Sequence, residues 1–467
     1  MITLIEIDSF KTFQDFKLEL SPFQVIVGPN GAGKSNLFDA LHLLSRLADT
    51  DLRSAFQELR GDAIELFTTF PNGQSVNKMS LAVEMLVDCS IQDSWGTKAE
   101  LKYTRMRYEL ELLRRNDEQG LERLYVLRES LKAIPRADDN WCQKHGLSTQ
   151  NNWLPKGTGH RTFISTEKTK TGQSTIHLHP DGHGGRKSLV AEKIERTVLS
   201  GVTNAEFPHA FAAREEIRNW RFLQLNPEVL RSPSSMLAPP SLSADGHNLA
   251  TTLARMQAED RYALNDIASD LANLVSGVLK IEVDADQTRN QYTIRALMQD
   301  KISFSSKVLS DGTLRMLVLA TLKNDLQHRG VLCFEEPENG VHPSRLKNIA
   351  HLLRELATDF QDEHQKDLPL RQLLVNTHSP VFISQAEIRD ALLFAYMVTR
   401  VGPQEKGISP HRVTRIVQVA KPHPQLKFDF GPIISKEEQN YTVDQIKHYL
   451  DSDTLNEAYE ILAQDTI

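Results

Sequence analysis

Residues 28–36 read GPNGAGKSN, in which Gly28, Gly33, Lys34 and Ser35 keep the spacing GxxxxGKS. Glycines at Gly28, Gly31 and Gly33 allow successive backbone N–H groups to wrap a phosphate closely. In such a loop the lysine reaches the β- and γ-phosphates of a nucleotide, and the next hydroxyl ligates Mg²⁺. Lys34 and Ser35 are the candidates for those two tasks, with Asn30 and Asn36 as further nucleotide contacts. The flanks agree with this reading. Phe23–Val27 is a short apolar run of buried-strand type, and Leu37, Ala40, Leu41, Leu44 and Leu47 follow the spacing that gives a helix one apolar face. Strand, glycine loop and helix stand in the order that nucleotide binding requires.

The rest of the composition narrows the class. A chain of 467 residues has room for two or three domains and a real core. The longest uninterrupted apolar run, Ala391–Val398, is too short to span a bilayer, and Glu6 and Asp8 stand where a signal peptide would be apolar. No membrane association and a cytoplasmic location are expected. Cys89, Cys142 and Cys333 form no CxxC pair and suit a reducing compartment, with Cys333 inside an apolar run as a core residue. A net charge of −7 argues against a generally basic surface but leaves room for a local basic face. Between Lys102 and Arg136, six arginines alternate with Glu109, Glu111, Asp117, Glu118, Glu122 and Glu129, which reads as a solvated face of mixed sign in preference to a phosphate-binding patch.

Outward from the glycine loop, Ile2–Ile7 and Phe16–Leu20 alternate as a half-buried hairpin, and Leu81–Val87, Tyr103–Leu112 and Leu121–Leu127 continue in strand-like fashion. Asn151–Lys187 is irregular and reads as a loop-bearing insertion; His177, His179 and His183 with Asp181 there are weighed as metal ligands against polar alternation on a strand, the reading preferred. Pro233–Pro240 is a connector, Leu249–Val278 one or two amphipathic helices, and Lys280–Val283 and Gln291–Ala296 short strands. From Leu309 onward helix and strand signals alternate as in a parallel α/β sheet, and Val443–Ala463 reads as helical. The expected division is 1–95, a first lobe with the phosphate loop; 96–205, a β-rich and irregular insertion; 206–300, a helical lobe; 301–425, a second lobe; and 426–467, a helical tail.

Three further segments carry chemistry. Val331–Glu336, VLCFEE, is a buried strand that delivers two carboxylates at its C-terminal end, where an NTPase holds Mg²⁺ and its catalytic base. Glu335 is the metal candidate and Glu336 the base, although a Glu in the first position is one methylene longer than the usual Asp. Leu309–Thr313, LSDGT, opens a helix pattern, and Ser310 and Gly312 at that N-terminus suit a phosphate. THSP at Thr377–Pro380 follows the apolar run Leu373–Val375 and sets His378 at a strand end.

Taken in order, GPNGAGKSN, LSDGT, FEEPENGVHP and NTHSP resemble the ATPase heads of the ABC superfamily. Asn36, the tail Pro337–Pro343 and the 274 positions from Ser35 to Leu309 are similar to the SMC/RecF/OLD branch. The signature departs from that superfamily's LSGGQ at Asp311 and Thr313, and Gln57 and Gln74 compete for the glutamine that links Mg²⁺ to the lobe. The resemblance implies an α/β fold, an ABC-type ATPase head with an N-terminal antiparallel β-rich lobe, inserted segments and a C-terminal parallel α/β lobe. It implies a head-to-tail homodimer, or a larger assembly built from it, in which Lys34 and Ser35 of one subunit and Ser310 and Gly312 of the other enclose ATP. Glu335 joins Ser35 on Mg²⁺, Glu336 orients water and His378 senses the γ-phosphate.

The resemblance is nearest to armless ATPases of bacterial anti-phage operons, of OLD-like, Septu and PARIS type. About ninety residues follow His378 and hold no acidic cluster for two nuclease metals, so a nuclease effector, Toprim or HNH in type, is expected on a separate protein. DNA or a phage component is then the trigger, and Asn151–Lys187 is either its binding surface or a plain loop. The alternative is a RecF-like repair ATPase that binds DNA directly.

Overall fold

The computed structural model describes residues 1–147, 153, 154, 157, 159–168, 174–181, 185–191, 194–362, 365, 368–400, 410–419 and 428–429. Two large sheets frame it. In the seven-stranded sheet the order is Arg221–Leu223, Gly330–Glu335, Arg371–Asn376, Phe23–Val27, Leu392–Arg400, His411–Val419 and Phe428–Asp429. The first five run parallel, so their C-terminal ends gather along one edge. That edge carries the ends of the glycine-loop strand, the acidic strand and the strand before Thr377.

Burial on both sides explains why these strands read as continuous apolar runs. Ile26, Val331, Cys333 and Leu374 face one core, while Val25, Val27, Leu332, Phe334, Leu373 and Val375 face the other. The first core is closed by helices Lys34–Leu47 and Pro208–Arg218 and by the eight-stranded sheet. The second is closed by helices Leu249–Glu259, Ala263–Leu274, Asp311–Asn324 and Leu346–Glu355. Each fully buried Val or Leu stabilises such a core by about 1.5–3 kcal/mol before entropy is counted.

The eight-stranded sheet is antiparallel throughout, in the order Lys187–Val190, Ser174–Leu178, Thr162–Lys168, Glu122–Ala133, Arg105–Asn116, Lys78–Leu86, Ile2–Asp8 and Phe16–Glu19. The molecule is thus an α/β head with an antiparallel N-terminal lobe and a parallel sheet, as expected. Several local readings need correction. Strands Thr162–Lys168 and Ser174–Leu178 extend the sheet through the segment expected to be an irregular insertion, because Ile164 and Ile176 are buried in the same core. Two helices, Leu249–Glu259 and Ala263–Leu274, bear out the helical reading of Leu249–Val278 except at its end, where Val278 opens a strand. The helical reading of Val443–Ala463 and His183 lie outside the described residues.

The mixed charges of Lys102–Arg136 divide by strand face. Arg107 pairs with Glu6, Glu84 and Glu109, and Arg128 with Glu109 and Glu111, on the outer face. Arg105 and Glu129, by contrast, are inside. Arg105 forks onto Asp139 at 2.8 and 3.1 Å and donates to Thr3 Oγ1, so removing either partner of this buried pair is expected to cost about 3–5 kcal/mol. Among the described residues no group of three or more His, Cys, Asp or Glu side chains is placed to hold a metal ion. His177 is bonded to Ser188, His179 to Ser165, and Asp181 to His209. No helix of the described residues is long and apolar enough to cross a membrane.

Candidate functional site

The glycine loop lies between strand Phe23–Val27 and helix Lys34–Leu47. Its shape depends on close approach to the neighbouring strands. A Cβ on Gly28 would stand 2.2 Å from the Ala395 carbonyl oxygen, and one on Gly33, whose φ is 90°, would stand 2.1 Å from Thr414 Oγ1. Gly31, with φ 77°, has open space beside it. Lys34 is buried and its ammonium donates to the carbonyls of Gly28 and Pro29 at 2.7 and 3.1 Å. Burial lowers its pKa from the ordinary lysine range, while the charges of Glu336 and Glu335 act in the opposite sense.

A cavity of about 230 Å³ opens over the loop and is lined by Asn30, Gly31, Ala32, Gly33, Lys34, Ser35, Asn36, Glu336, Asn376 and His378. Residues distant in sequence are therefore brought to one place by strand order. His378 Nδ1 lies 2.7 Å from Glu336 Oε1, and Asn339 Nδ2 donates to the other oxygen of Glu336. Glu336 has φ 49°, a left-handed value that side chains rarely adopt, and its N–H donates to the Asn376 carbonyl at 2.8 Å. Asn376 Nδ2 reaches Ser35 Oγ at 3.4 Å.

Other candidates stand differently. Glu335 ends the acidic strand opposite Asn376, half-buried, with the Arg60 guanidinium 3.6 Å away, and it does not line the cavity. Asn36 lines the cavity but donates its amide to Thr12 Oγ1 at 2.9 Å, and Thr12 in turn meets Thr414 at 2.7 Å. Ser310 caps helix Asp311–Asn324, with its Oγ accepting from Thr313 N at 3.2 Å, and it is exposed. A Cβ on Gly312 would stand 2.7 Å from the Gly340 carbonyl oxygen, so this helix start packs on the loop that follows Glu336. Neither Ser310 nor Gly312 lines the cavity, and both Gln57 and Gln74 are exposed and apart from it. Sequence reasoning missed Asn376, Thr377 and Glu338. All three sit inside segments already quoted, NTHSP and PENGVHP, but nothing local distinguishes them from solvated neighbours.

Hard oxygen donors from Ser35 and Glu335 suit Mg²⁺, and the loop's N–H groups with Lys34 suit a polyphosphate. Two family models match the chain. One, described as the RecF/RecN/SMC N terminal domain, matches residues 1–132 and includes the glycine loop. The other matches residues 208–384, which hold the LSDGT turn, the acidic strand and His378; it is an AAA domain linked in its description to the AbiEii toxin of a type IV TA system. No curated protein matches. Among solved structures, an SMC head bound to the C-winged helix domain of ScpA is similar at 14% identity and TM-score 0.45, over 90% of this chain and 98% of that one. The SMC head domain from Thermotoga maritima is similar at 12% identity and TM-score 0.35, with the same coverages. An SMC head from Pyrococcus furiosus with an extended coiled coil, bound to the C-terminal domain of ScpA, is similar at 13% and 0.43, over 96% and 99%. The two family matches support an ATPase of the SMC/RecF-like type.

Proposed function

We propose that this chain binds and hydrolyses ATP with Mg²⁺ in the cytoplasm, as a nucleotide-gated sensor in anti-phage defence that controls a separately encoded effector, a nuclease of Toprim or HNH type. The observation that carries the hydrolytic part is the Glu336–His378 pair, 2.7 Å apart and lining the same cavity as Lys34 and Ser35. Mg²⁺, when bound, would supply positive charge against the developing charge of the phosphates. On the protein side, Lys34 releases its two loop carbonyls to hold phosphate oxygens, and Ser35 and Glu335 are the residues that would hold Mg²⁺. Glu336 orients the attacking water, and His378 meets the γ-phosphate. Asn376, against Ser35, keeps that hydroxyl aimed.

The defence reading draws support from the match over residues 208–384, whose description includes a toxin system. The match to the RecF/RecN/SMC domain favours a second reading, a maintenance ATPase that binds DNA directly. In this proposal Ser310 and Gly312 complete the site of a second copy in a head-to-tail dimer.

Glu336→Gln is expected to keep nucleotide binding while losing at least a hundredfold in turnover, checked by steady-state phosphate release beside a nucleotide-binding titration. Unchanged turnover would overturn the assignment of the base. Pull-down of the same variant with ATP and Mg²⁺ separates the two roles. A stoichiometric nuclease supports the sensor, and co-purifying DNA with a steep salt dependence supports maintenance.

A further inference from the structure

We propose that Glu338 and Thr377 form a buried clip that positions the two strand-end segments bearing Glu336 and His378. This inference rests on the hydrolytic reading above and concerns residues that do not themselves line the cavity.

Glu338 is 8% exposed, deep for a carboxylate two residues beyond an active-site loop. One of its oxygens accepts from the Thr377 hydroxyl, and the other is buried with no hydrogen-bond partner in another residue. Burying a carboxyl group with one oxygen so poorly partnered costs stability. Burial raises its pKa above the ordinary range and the charge of Glu336 adds to this, against the lowering effects of the Thr377 hydroxyl, of its own backbone N–H and of His378.

Thr377 is fully buried and bonded on three sides. Its N–H donates to Ile26 O at 3.1 Å, on the strand that leads into the glycine loop. Its hydroxyl donates to Glu338 and accepts from the Ser379 N–H at 3.0 Å, so the backbone on either side of His378 is tied down. Two links therefore join the same pair of segments. The outer one, Glu336 to His378, is between half-exposed and exposed groups and must open for those side chains to reach water and phosphate. The inner one, Glu338 to Thr377, is sheltered and stays closed through that exchange. It preserves the spacing that lets Glu336 and His378 act on one phosphate, where a displacement of about 1 Å is enough to lose a hundredfold in rate. Glu338 and Thr377 are positioning residues in this scheme. Arg315, half-buried on the second turn of the LSDGT helix, adds a positive charge that acts toward both Glu336 and Glu338.

The test compares wild type, Thr377→Val and Thr377→Ser in steady-state ATPase, nucleotide titration and hydrogen exchange of the Ser379 amide. Thr377→Val is expected to lower kcat at least tenfold with nucleotide Kd within threefold of wild type, and to accelerate Ser379 exchange at least tenfold. Thr377→Ser, which keeps the hydroxyl, is expected to recover most of kcat and the slow exchange. Wild-type kcat in Thr377→Val, or equal losses in kcat and nucleotide affinity, would overturn the clip while leaving the hydrolytic reading intact. Absence of turnover in the wild type would sink that reading alone; exchange at Ser379 would then decide the clip, with an unchanged rate in Thr377→Val counting against it.

Discussion

Gly33 shows how tightly one residue of the phosphate loop is specified. It combines a left-handed backbone with a neighbour, Thr414 Oγ1, that would stand 2.1 Å from any Cβ placed there. Gly33→Ala is therefore expected to cost roughly 1–3 kcal/mol through overpacking alone, and to weaken nucleotide binding because the loop must shift away from Thr414. Thermal unfolding and a nucleotide titration check both effects; unaltered values in each would show that Thr414 simply rotates aside. That Lys34, Ser35, Glu336 and His378 line one cavity was legible from the motifs taken together, His378 only through the company of the other three segments. Asn376 and Thr377 were not, since their importance comes from pairing. Glu335 stands opposite Asn376 across parallel strands, a register that no short stretch of sequence reveals.

Among the elements, the long hairpin Arg105–Asn116 and Glu122–Ala133 holds the most telling departure. Alternation along a strand was readable, but the pairing of Glu129 with Leu110 was not, and that pairing turns Glu129 inward. There it is wholly buried, accepting from the N–H groups of Val198 and Leu199 at 2.6 and 2.8 Å and from the Tyr108 hydroxyl at 3.1 Å. Burial pushes its carboxyl up to about 7 from an ordinary 4.5, outweighing those three donors. The folded chain thus holds a proton at pH values where the unfolded chain has released it. The stability this group contributes is full below about pH 4.5 and is lost as pH rises through about 7. Glu129→Gln is expected to flatten the fall in Tm between pH 5 and pH 8 relative to wild type, measured by scanning calorimetry. Parallel Tm profiles for the two proteins would contradict the raised value.

At the scale of the whole molecule, neither Ser310 nor Gly312 of the LSDGT turn lines the cavity over the glycine loop. If, as proposed, Ser310 and Gly312 of a second copy complete the site, Glu336→Gln with ATP and Mg²⁺ is expected to move from monomer to twice the monomer mass in light scattering, and Ser310→Arg to block that change. A nucleotide-bound monomer in both would set the head-to-tail arrangement aside. The fold class itself was legible because buried parallel strands leave continuous apolar runs, while the strand order was not, since it joins distant parts of the chain. That order has a consequence for biogenesis. The strand Phe23–Val27 is flanked by Arg371–Asn376 and Leu392–Arg400, made some 344 positions later. At ribosomal speeds of about 5–20 residues per second, the glycine-loop strand waits roughly 20–70 s for its first sheet neighbour. During synthesis it is an apolar segment without edges to pair with, so nascent chains stalled before Arg371 are expected to be the species that chaperones hold.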